Sequence, residues 1–373
     1  MTRLLAGMLA AAIGVAGARG AGAQESHPIL SRINLPPGFK ISVFAELPSP
    51  RSLAIAEPGE IVFVGSRRDT VYSLRDSDRD GAADEVLLRA DGLKVPNGIA
   101  YHEGRLYIAE QDRISFWPAP RDADSTAPIR PLIDIRTDLP DKRHHGWRYA
   151  GVGPEGRLYV SIGSPCNICE PQGLEGTIIH MNPDGSDMQV VARGVRNSVG
   201  FDWHPETGQL FFTDNGADRM GDDIPPDELN HVTEIGRHYG FPYLGGRSVQ
   251  LTGFEDKEAP ADAVSPAIEF AAHTASLGIR FYRGDMFPPE YRHDAFVAQH
   301  GSWNRTVPIG YRIMRVRFDE AGMAVGKEVF ADGWLREDGS VLGRPVDIAE
   351  LADGSLLVSD DHANVIYRIT YGR

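Results

Sequence analysis

The stretch "YAGVGPEGRLYVSIG", residues 149–163, decides the fold. Two short runs rich in apolar, aromatic and β-branched residues lie on either side of a turn that contains Pro154 and Gly156. Apolar residues that alternate along such short runs are typical of strands, and proline with glycine favours a turn. The stretch therefore predicts two consecutive strands, and no helical period competes with this interpretation.

The same order of apolar run, turn and second run occurs six times along the chain. The copies cover 52–74, 98–117, 149–181, 199–216, 277–318 and 346–371. Their middle runs begin at Glu60, Arg105, Arg157, Gln209, Asp294 and Ser355, with separations of 45, 52, 52, 85 and 61 residues. A strand-rich repeat of about 45–50 residues is typical of a propeller blade, a four-stranded sheet beside a central channel. The sequence therefore predicts an all-β fold, a six-bladed β-propeller, with an open solenoid as the alternative.

Residues 39–47, "FKISVFAEL", form a spare strand in this pattern, because they precede the first complete copy. We expect this strand to pair with the last blade and so close the ring. Closure of this kind removes an exposed sheet edge.

The first 23 residues do not fit the repeat. Arg3 is followed by an apolar run of small residues, and Ala21-Gly22-Ala23 fits the cleavage site of a secretory signal. We therefore expect a signal peptide over 1–23 and a single propeller domain over 24–373, in the periplasm or secreted. No later apolar segment reaches the length of a membrane span, so no membrane span is expected.

The charge of the chain is strongly acidic. The formal net charge is −14, and loss of Arg3 and Arg19 with the signal peptide would bring it to −16. An acidic surface favours solubility and argues against nucleic acid as a partner.

The two cysteines, Cys166 and Cys169, lie in "SPCNICEP". In an exported protein this spacing favours a local disulfide that pins a loop over a redox-active pair. A haem attachment site would need histidine after the second cysteine, where the chain has Glu170.

Polar residues lie just before each of the six predicted innermost strands. In a propeller these positions gather around one mouth of the channel. They hold Arg51, Asn97, His145, Arg196-Asn197, His273 and Arg344. Three arginines and two histidines are unexpected in an acidic chain, and binding groups concentrate on loops of a rigid scaffold. The pattern favours a ring of donors around a bound anion over loops that are polar by default.

Three further loops carry candidate binding residues. The segment 213–232 is rich in carboxylates, including Asp218 and Glu228, and carboxylates bind Ca²⁺, although a solvated acidic loop explains the composition equally well. The stretch "DSDRDGAADE" (76–85) matches the first half of an EF-hand loop, but Leu87 replaces the closing glutamate, so a charged turn is the alternative. In 298–311, Trp303 could stack on a flat ligand or pack against a neighbouring blade.

Several motifs together resemble the glucose/sorbosone dehydrogenases. They are "HHGWRYAGVGPEGRLYVSIG" (144–163), "GVRNSVGFDWHPETGQLFFTDNG" (194–216), "DELNHV" (227–232), "YGFPYLGG" (239–246), "QHGSWNRTVPIGYRI" (299–313) and "GRPVDIAELADGSLLVSDD" (343–361). Members of this family are soluble periplasmic six-bladed propellers that use pyrroloquinoline quinone (PQQ) and Ca²⁺. The resemblance covers about residues 29–371 and looks closer to the sorbosone dehydrogenase branch than to soluble glucose dehydrogenase.

The resemblance implies individual roles. It assigns the catalytic base to His145, eight residues before Gly153 of a Gly-Pro turn, rather than to His144. It implies that Arg196 contacts the quinone oxygens and that Asn197 contacts the cofactor carboxylates.

Other positions depart from the family pattern. The carbonyl groups that bind the active-site Ca²⁺ fall on Gly216 and Ala217, where the family has Gly-Pro. An Arg-x-Arg pair that holds PQQ falls on Arg344 and Val346, and Arg305 is the cation nearest to a PQQ-binding lysine that has no match.

The reaction that the resemblance implies is oxidation of an aldose or related sugar by hydride transfer to PQQ. His145 would act as the general base, Arg196 and Ca²⁺ would stabilise charge on the quinone, and a separate cytochrome or quinone would accept the electrons. A calcium-dependent propeller lactonase is one alternative, although it would need acidic side chains on the axis. A non-catalytic sugar-binding propeller is another, and the departures at Val346 and the missing lysine favour it.

Overall fold

The structure is a computed structural model that describes residues 27–56, 61–118 and 132–372, so the predicted signal peptide lies outside the described residues. Strands dominate the described chain. Its helices are single 3₁₀ turns: Leu30–Arg32 and Pro289–Tyr291. Within these ranges, no helix has the length and apolar character needed to span a bilayer.

Six sheets surround a central channel, which confirms the predicted six-bladed propeller. The chain's first strand is β1 (Phe39–Glu46). Blade 1 then contains β2 (Pro50–Ala56), β3 (Ile61–Ser66), β4 (Val71–Arg75) and β5 (Glu85–Ala90). Blade 2 contains β6 (Gly98–His102), β7 (Arg105–Ala109), β8 (Ile114–Pro118) and β9 (Ile133–Arg136). Blade 3 contains β10 (Ala150–Val152), β11 (Leu158–Ile162), β12 (Thr177–Met181) and β13 (Gln189–Arg193).

An insertion within blade 4 explains the wide gap between the fourth and fifth copies. Blade 4 begins with β14 (Phe201–Trp203), β15 (Leu210–Asp214) and β16 (Glu228–Val232). The insertion contributes β17 (Arg237–His238), β18 (Leu244–Gly245) and β19 (Val249–Gln250). β17 adds to blade 3 in parallel with β13, and β18 pairs with β19. The chain then returns in β20 (Ile268–Glu269), which pairs with β16 as the outer strand of blade 4.

The last two blades complete the ring, and β1 closes it as expected. Blade 5 contains β21 (Ser276–Phe281), β22 (Ala295–Gln299), β23 (Arg312–Phe318) and β24 (Ala324–Ala331). Blade 6 contains β25 (Pro345–Glu350), β26 (Leu356–Asp360) and β27 (Val365–Tyr371). β1 pairs antiparallel with β27, from Phe39 opposite Tyr371 to Glu46 opposite Val365. Blade 6 therefore takes its outermost strand from the start of the propeller, and β27 presents no open edge.

The core consists of interfaces between neighbouring blades. Each of six clusters of buried apolar side chains in the described chain joins two adjacent blades. In β15, Phe211 belongs to the cluster shared with blade 5, whereas Phe212 belongs to the cluster shared with blade 3. Successive side chains of a strand point to opposite faces, and both faces of a blade are covered by its neighbours. This arrangement explains why the middle runs of the repeats are almost continuously apolar.

The two ends of the channel hold separate cavities. Residues at the starts of the innermost strands line a cavity of about 410 Å³, which we call the mouth cavity. Residues at the ends of the same strands line a larger cavity of about 1100 Å³. Val199, Leu277 and Val346 form a small buried cluster near the starts of the innermost strands of blades 4 to 6. Val199 and Leu277 also line the mouth cavity and give it an apolar inner wall.

Ring closure can be tested through Phe44 of β1, which is 3% exposed and packs between blades 6 and 1. We expect Phe44→Ala to lower the free energy of unfolding by about 3–5 kcal/mol, because it leaves a cavity at the seam. The exposed Lys40 on the same strand is the control, and Lys40→Ala should change stability by less than about 0.5 kcal/mol. Equal effects of the two substitutions in urea denaturation would contradict the role given to β1.

Candidate active site

The mouth cavity brings together side chains that lie far apart in the sequence. All of the predicted residues before the innermost strands except Asn97 line it: Arg51, His145, Arg196, Asn197, His273 and Arg344. Gly216, Asp218 and Trp303 from the predicted loops line it as well. The structure thus places His145, Arg196 and Arg344 around one cavity, and their chemical roles remain predictions.

His145 is half-buried, and its ring is held from one side. Nδ1 lies 3.0 Å from the carbonyl oxygen of Ser164 and 3.1 Å from Ser164 Oγ. A carbonyl oxygen can only accept, so Nδ1 carries the proton and Nε2 keeps its lone pair. Burial lowers the pKa of His145 well below 6.5, and the charges of Arg196 and His144 act in the same direction. The neutral ring can therefore accept a proton at Nε2.

The backbone around His145 is tightly constrained. Its φ of 47° lies in the left-handed region, which residues with a side chain seldom adopt outside functional turns. The buried Arg148 donates to the carbonyl oxygens of Gln111 and Pro140, at 2.8 and 2.7 Å. Another nitrogen of Arg148 donates to the carbonyl oxygen of His145 at 3.3 Å. A Cβ at position 163 would lie 2.5 Å from the Cβ of His145, so Gly163 makes room for this turn.

Arg196 is 3% exposed and held in a defined position. Its Nε donates to the carbonyl oxygen of Asn167 at 2.9 Å, and Nη1 donates to that of Asn215 at 3.1 Å. Its Nη2 donates to Asn167 Oδ1 at 2.7 Å and to Asp218 Oδ2 at 2.8 Å. Four of the five N–H groups are engaged, which orients the guanidinium before any ligand arrives.

A group of arginines, which we call the cation wall, lines another part of the mouth cavity: Arg51, Arg67 and Arg344. Arg51 and Arg67 lie over the ring of Trp147, with guanidinium carbons 4.5 and 4.8 Å from its centroid. Arg344 donates to the carbonyl oxygens of His300 and Gly301 at 2.9 and 2.6 Å. These carbonyl contacts leave its charge without a carboxylate in hydrogen-bond contact, as far as the described residues show.

Asp361 is the carboxylate that binds two members of the cation wall. It accepts from Arg51 at 3.1 Å, from Arg67 at 3.4 Å and from His300 Nε2 at 2.7 Å. Burial alone would raise the pKa of Asp361, but His300 and the two guanidiniums bring that pKa well below its usual range. Burial lowers the pKa of His300 to about 4, so this ring is neutral at neutral pH. Three guanidiniums and one carboxylate leave a surplus of positive charge that suits a polyanion.

Other residues that line the mouth cavity carry acceptor atoms without partners. The buried Oδ1 atoms of Asn197 and Asn304 and the Nδ1 of His273 have no hydrogen-bond partner in the described chain. His273 Nε2 lies 2.8 Å from the carbonyl oxygen of Gly221, so it carries the proton and Nδ1 is an acceptor. Buried acceptors are normally satisfied, so these atoms could accept from a bound cation or hydrogen-bond donor.

A buried acidic pair lies next to the backbone of Arg196 and Asn197. Asp214 and Glu228 face each other across β15 and β16. Burial raises the pKa of Asp214 to about 7 and, together with repulsion from Asp214, that of Glu228 to about 8. Asp214 accepts from the backbone N–H groups of Arg196 and Asn197, at 2.7 and 2.6 Å. Asp214 therefore fixes the backbone that carries two predicted cofactor ligands.

Four predicted binding residues do not line the mouth cavity: Asn97, Arg305, Ala217 and Glu228. Asn97 is fully buried and accepts from Arg51 Nε at 2.7 Å, so it orients Arg51 instead of facing the cavity. Arg305 donates to backbone oxygens of Asp222 and Ala272 and anchors the neighbouring loop. Spacing along the sequence does not reveal these side-chain directions.

Arg67, His300 and Asp361 were not assigned binding roles from the sequence, although a rule could have found them. Each follows directly after the second strand of a blade, namely β3, β22 and β26. Because the second strand runs antiparallel to the first, its end returns to the mouth. Candidate residues were predicted in the loops after β15 and β22, but the rule was not applied to every blade, so these three side chains were missed.

Two further predicted features can be located. Cys166 and Cys169 form a disulfide, as expected. Asp76, Asp78 and Asp80 lie close enough together for their oxygens to share one ion, but exposed acidic groups are common without one. The calcium site at 76–85 therefore stays a prediction.

Comparison with known proteins identifies the family. The TrAA12-like family model matches residues 33–372. The chain belongs to the TrAA12-like family. This match covers most of the chain and confirms the resemblance at the level of the family, but it does not single out the sorbosone dehydrogenase branch.

Relatives of this TrAA12-like protein include one in Borreliella burgdorferi, described as an uncharacterized protein. It is 38% identical over 358 residues, and the match covers 93% of each chain. Solved structures with the same fold include the holo form of the pyranose dehydrogenase PQQ domain from Coprinopsis cinerea. That domain is 20% identical, with a TM-score of 0.75 and coverage of 91% of this chain and 97% of its own.

A calcium structure of the Trichoderma reesei Carbohydrate-Active Enzymes Family AA12 protein is also similar. It is 20% identical, with a TM-score of 0.77 and coverage of 91% of this chain and 97% of its own. At this identity the two solved structures establish the shared fold.

The role of Asp361 in the TrAA12-like protein predicts a stability effect. Its side chain is 1% exposed and that of Arg51 is 4% exposed. We expect Asp361→Asn to lower the free energy of unfolding by about 3 kcal/mol, because it leaves a buried guanidinium without its carboxylate. Asp223 is the control, since its side chain is 91% exposed, and Asp223→Asn should cost less than about 0.5 kcal/mol. Equal stabilities of the two variants in urea denaturation would disprove the assignment.

Proposed function

We propose that this protein is an exported PQQ- and calcium-dependent sugar dehydrogenase. The observation that carries the proposal is the mouth cavity itself. A neutral His145 with a free Nε2 lines the same cavity as the three arginines of the cation wall. The oxidised substrate would be an aldose or related sugar. A separate cytochrome or quinone would receive the electrons.

The cation wall supports binding of PQQ. PQQ is flat and carries three carboxylates, and bound PQQ would supply the quinone that accepts hydride. Arg51 is buried, Arg344 is half-buried, and both are already oriented by hydrogen bonds, so they would lose little freedom on binding carboxylates. Trp303 is 63% exposed on the cavity rim, where it can cover the face of a flat ring.

The unpartnered acceptor atoms of the mouth cavity support binding of Ca²⁺. Calcium prefers six to eight oxygen ligands from carboxylates and carbonyl groups. Asn197 Oδ1 and Asn304 Oδ1 are buried without partners, and Gly216 and Asp218 line the same cavity. The predicted carbonyl ligands at Gly216 and Ala217, and the predicted carboxylates of Asp218 and Glu228, remain part of the proposal.

The chain's own groups would divide the chemistry. His145 would take the proton of the substrate hydroxyl at Nε2, while its Nδ1–H stays bonded to Ser164. Arg196 would stabilise negative charge next to the base, because its guanidinium is already fixed by Asn167 and Asp218. Val199 and Leu277 would exclude water from the inner wall of the cavity.

The descriptions of similar structures support the proposed use of PQQ and calcium. The Coprinopsis cinerea structure is described as a PQQ domain of a pyranose dehydrogenase. The Trichoderma reesei protein has been solved with calcium. The expected signal peptide and the disulfide agree with a location outside the cytoplasm.

The base can be tested by substitution. His145→Ala should lower kcat by about 10²–10⁴-fold, because the general base is lost, while PQQ affinity stays within a few-fold of the wild type. His144→Ala is the matched control, since its exposed ring lies 4.1 Å from that of His145 between centroids, tilted by 52°, and it should keep most of the turnover. The measurement is dye reduction with a panel of sugars, after the apo-protein is loaded with PQQ and Ca²⁺.

The same assay separates the alternatives. Full turnover by PQQ-loaded His145→Ala would dismiss His145 as the base. Binding of PQQ without reduction by any sugar would favour a non-catalytic sugar-binding propeller. Hydrolysis of lactones by the calcium-loaded protein without PQQ would favour the lactonase.

The pH dependence follows from the lowered pKa of His145. Burial, Arg196 and His144 favour the neutral ring, so the base should stay unprotonated well below pH 6.5 and the acid limb of kcat/KM should lie below that value. Arg196→Gln removes one positive neighbour, so the pKa of His145 should rise and the acid limb should move to higher pH. An acid limb that does not move in this variant would contradict the coupling between Arg196 and His145.

A further inference from the structure

We propose that Asn167 is a positioning residue for Arg196, that Ser164 in the same loop positions His145, and that the Cys166–Cys169 disulfide keeps this loop in its working conformation. Reduction of the disulfide would then weaken the site while the propeller stays folded. The inference rests on the proposed function only in that PQQ is the ligand used to measure binding.

Asn167 lies between the two cysteines and bonds Arg196 with two different atoms. Its carbonyl oxygen accepts from Arg196 Nε at 2.9 Å, and its Oδ1 accepts from Nη2 at 2.7 Å. Two acceptors from one residue bind the neighbouring Nε–H and Nη2–H groups along one edge of the guanidinium, which fixes its rotation as well as its position.

Asn167 also binds the backbone of Asp218, the carboxylate partner of Arg196. Its Oδ1 accepts from the N–H of Asp218 at 2.8 Å, and its Nδ2 donates to the carbonyl oxygen of Asp218 at 2.9 Å. The two amide contacts with Asp218 also fix the orientation of the Asn167 amide. One side chain therefore holds both members of the Arg196–Asp218 ion pair.

The beginning of the same loop holds the candidate base. Ser164 binds His145 Nδ1 through its carbonyl oxygen and its hydroxyl, at 3.0 and 3.1 Å. Ser164 Oγ lies 2.8 Å from the carbonyl oxygen of Cys166 and donates to it. The N–H of Ser164 also donates to the carbonyl oxygen of Arg196 at 2.8 Å. The loop therefore links His145, Arg196 and the disulfide through direct hydrogen bonds.

The disulfide constrains a segment without regular secondary structure. The cysteines are three positions apart, between the end of β11 and the start of β12. A cross-link over so short a loop contributes less to global stability than one over a long loop, so its main effect is on the local conformation. Both cysteines are half-buried, so a small reductant can reach them.

The redox step is a simple thiol–disulfide exchange. Dithiothreitol supplies two electrons and two protons, the bond between the two sulfurs breaks to give two thiols, and dithiothreitol closes into its own cyclic disulfide. The chain contains only two cysteines, so an effect of the reductant on this protein is assigned to this pair. The reduced loop gains conformational freedom, and Asn167 must lose that freedom again to bind Arg196.

The first test is PQQ binding, measured with Ca²⁺ by quenching of tryptophan fluorescence in the oxidised and reduced wild-type protein, after dithiothreitol has been removed without air, because thiols also reduce the quinone. We expect reduction to weaken PQQ binding about tenfold. Asn167→Ala should weaken PQQ binding to a similar extent, and reduction should then add less than about twofold, because three of the four hydrogen bonds from Asn167 to Arg196 and Asp218 are lost with its side chain. The double variant Cys166→Ser with Cys169→Ser should bind PQQ as weakly as the reduced protein, and treatment with dithiothreitol should not change its affinity.

The second test needs no cofactor. In the apo-protein, the Nε–H of Arg196 should exchange slowly with solvent in the oxidised form and faster after reduction or in Asn167→Ala. Assignment of this resonance uses Arg196→Lys, and far-UV circular dichroism checks that each variant retains the propeller. A general loss of stability would raise exchange in the strands of the propeller as well, so a change confined to Arg196 reports on its own hydrogen bonds.

The outcomes distinguish the two proposals. If the wild type binds no PQQ, the proposed cofactor is wrong, and the exchange of Arg196 Nε–H still decides the role of the loop. If PQQ binds equally to oxidised and reduced protein, or if Asn167→Ala keeps full sensitivity to dithiothreitol, the positioning role is overturned. Unchanged exchange of Arg196 Nε–H on reduction would overturn it as well.

Discussion

Pairing between β1 and β27 is the constraint on which the rest of the structure depends. It joins the two ends of the propeller and fixes blade 1 against blade 6. Hydrogen bonds across the same seam link Ser359 Oγ to the carbonyl oxygen of Arg51 and Leu53 N–H to Asp347. The Arg51–Asp361 ion pair crosses this seam too, so the cation wall exists only when the ring is closed. The cation wall therefore assembles when the ring of blades closes.

The mouth cavity brings cations and acceptors together. The cation wall, unpartnered acceptor atoms and the carboxylate of Asp218 all line it, together with His145 and Arg196. Fixed groups in a partly buried cavity stabilise charge better than mobile groups in water, because little reorganisation is needed when a ligand binds. Burial keeps Arg51 and Asp361 fixed in this cavity. It also means that loss of either charge leaves the other buried without a partner, which destabilises the fold.

Much of the fold and part of the site follow from the sequence for identifiable reasons. The alternation of side chains and the spacing of turns predict the blades, and the position of residues 39–47 predicts closure. His145, Arg196 and Arg344 were predicted because residues before the innermost strands must meet at the mouth. Asn97 obeys the same rule but turns inward to Arg51, and spacing contains no information on rotamers. Asp361 follows a second strand, so its meeting with Arg51 depends on a tertiary contact across 310 positions.

The most direct measurement of the central claim is a crystal structure of the chain grown with PQQ and Ca²⁺. We expect one flat tricarboxylate in the mouth cavity, with its carboxylates on the cation wall and Ca²⁺ next to Gly216. His145 Nε2 should remain open toward the substrate. PQQ bound only in the larger cavity at the other end of the channel, or an empty mouth cavity at saturating PQQ, would contradict the account.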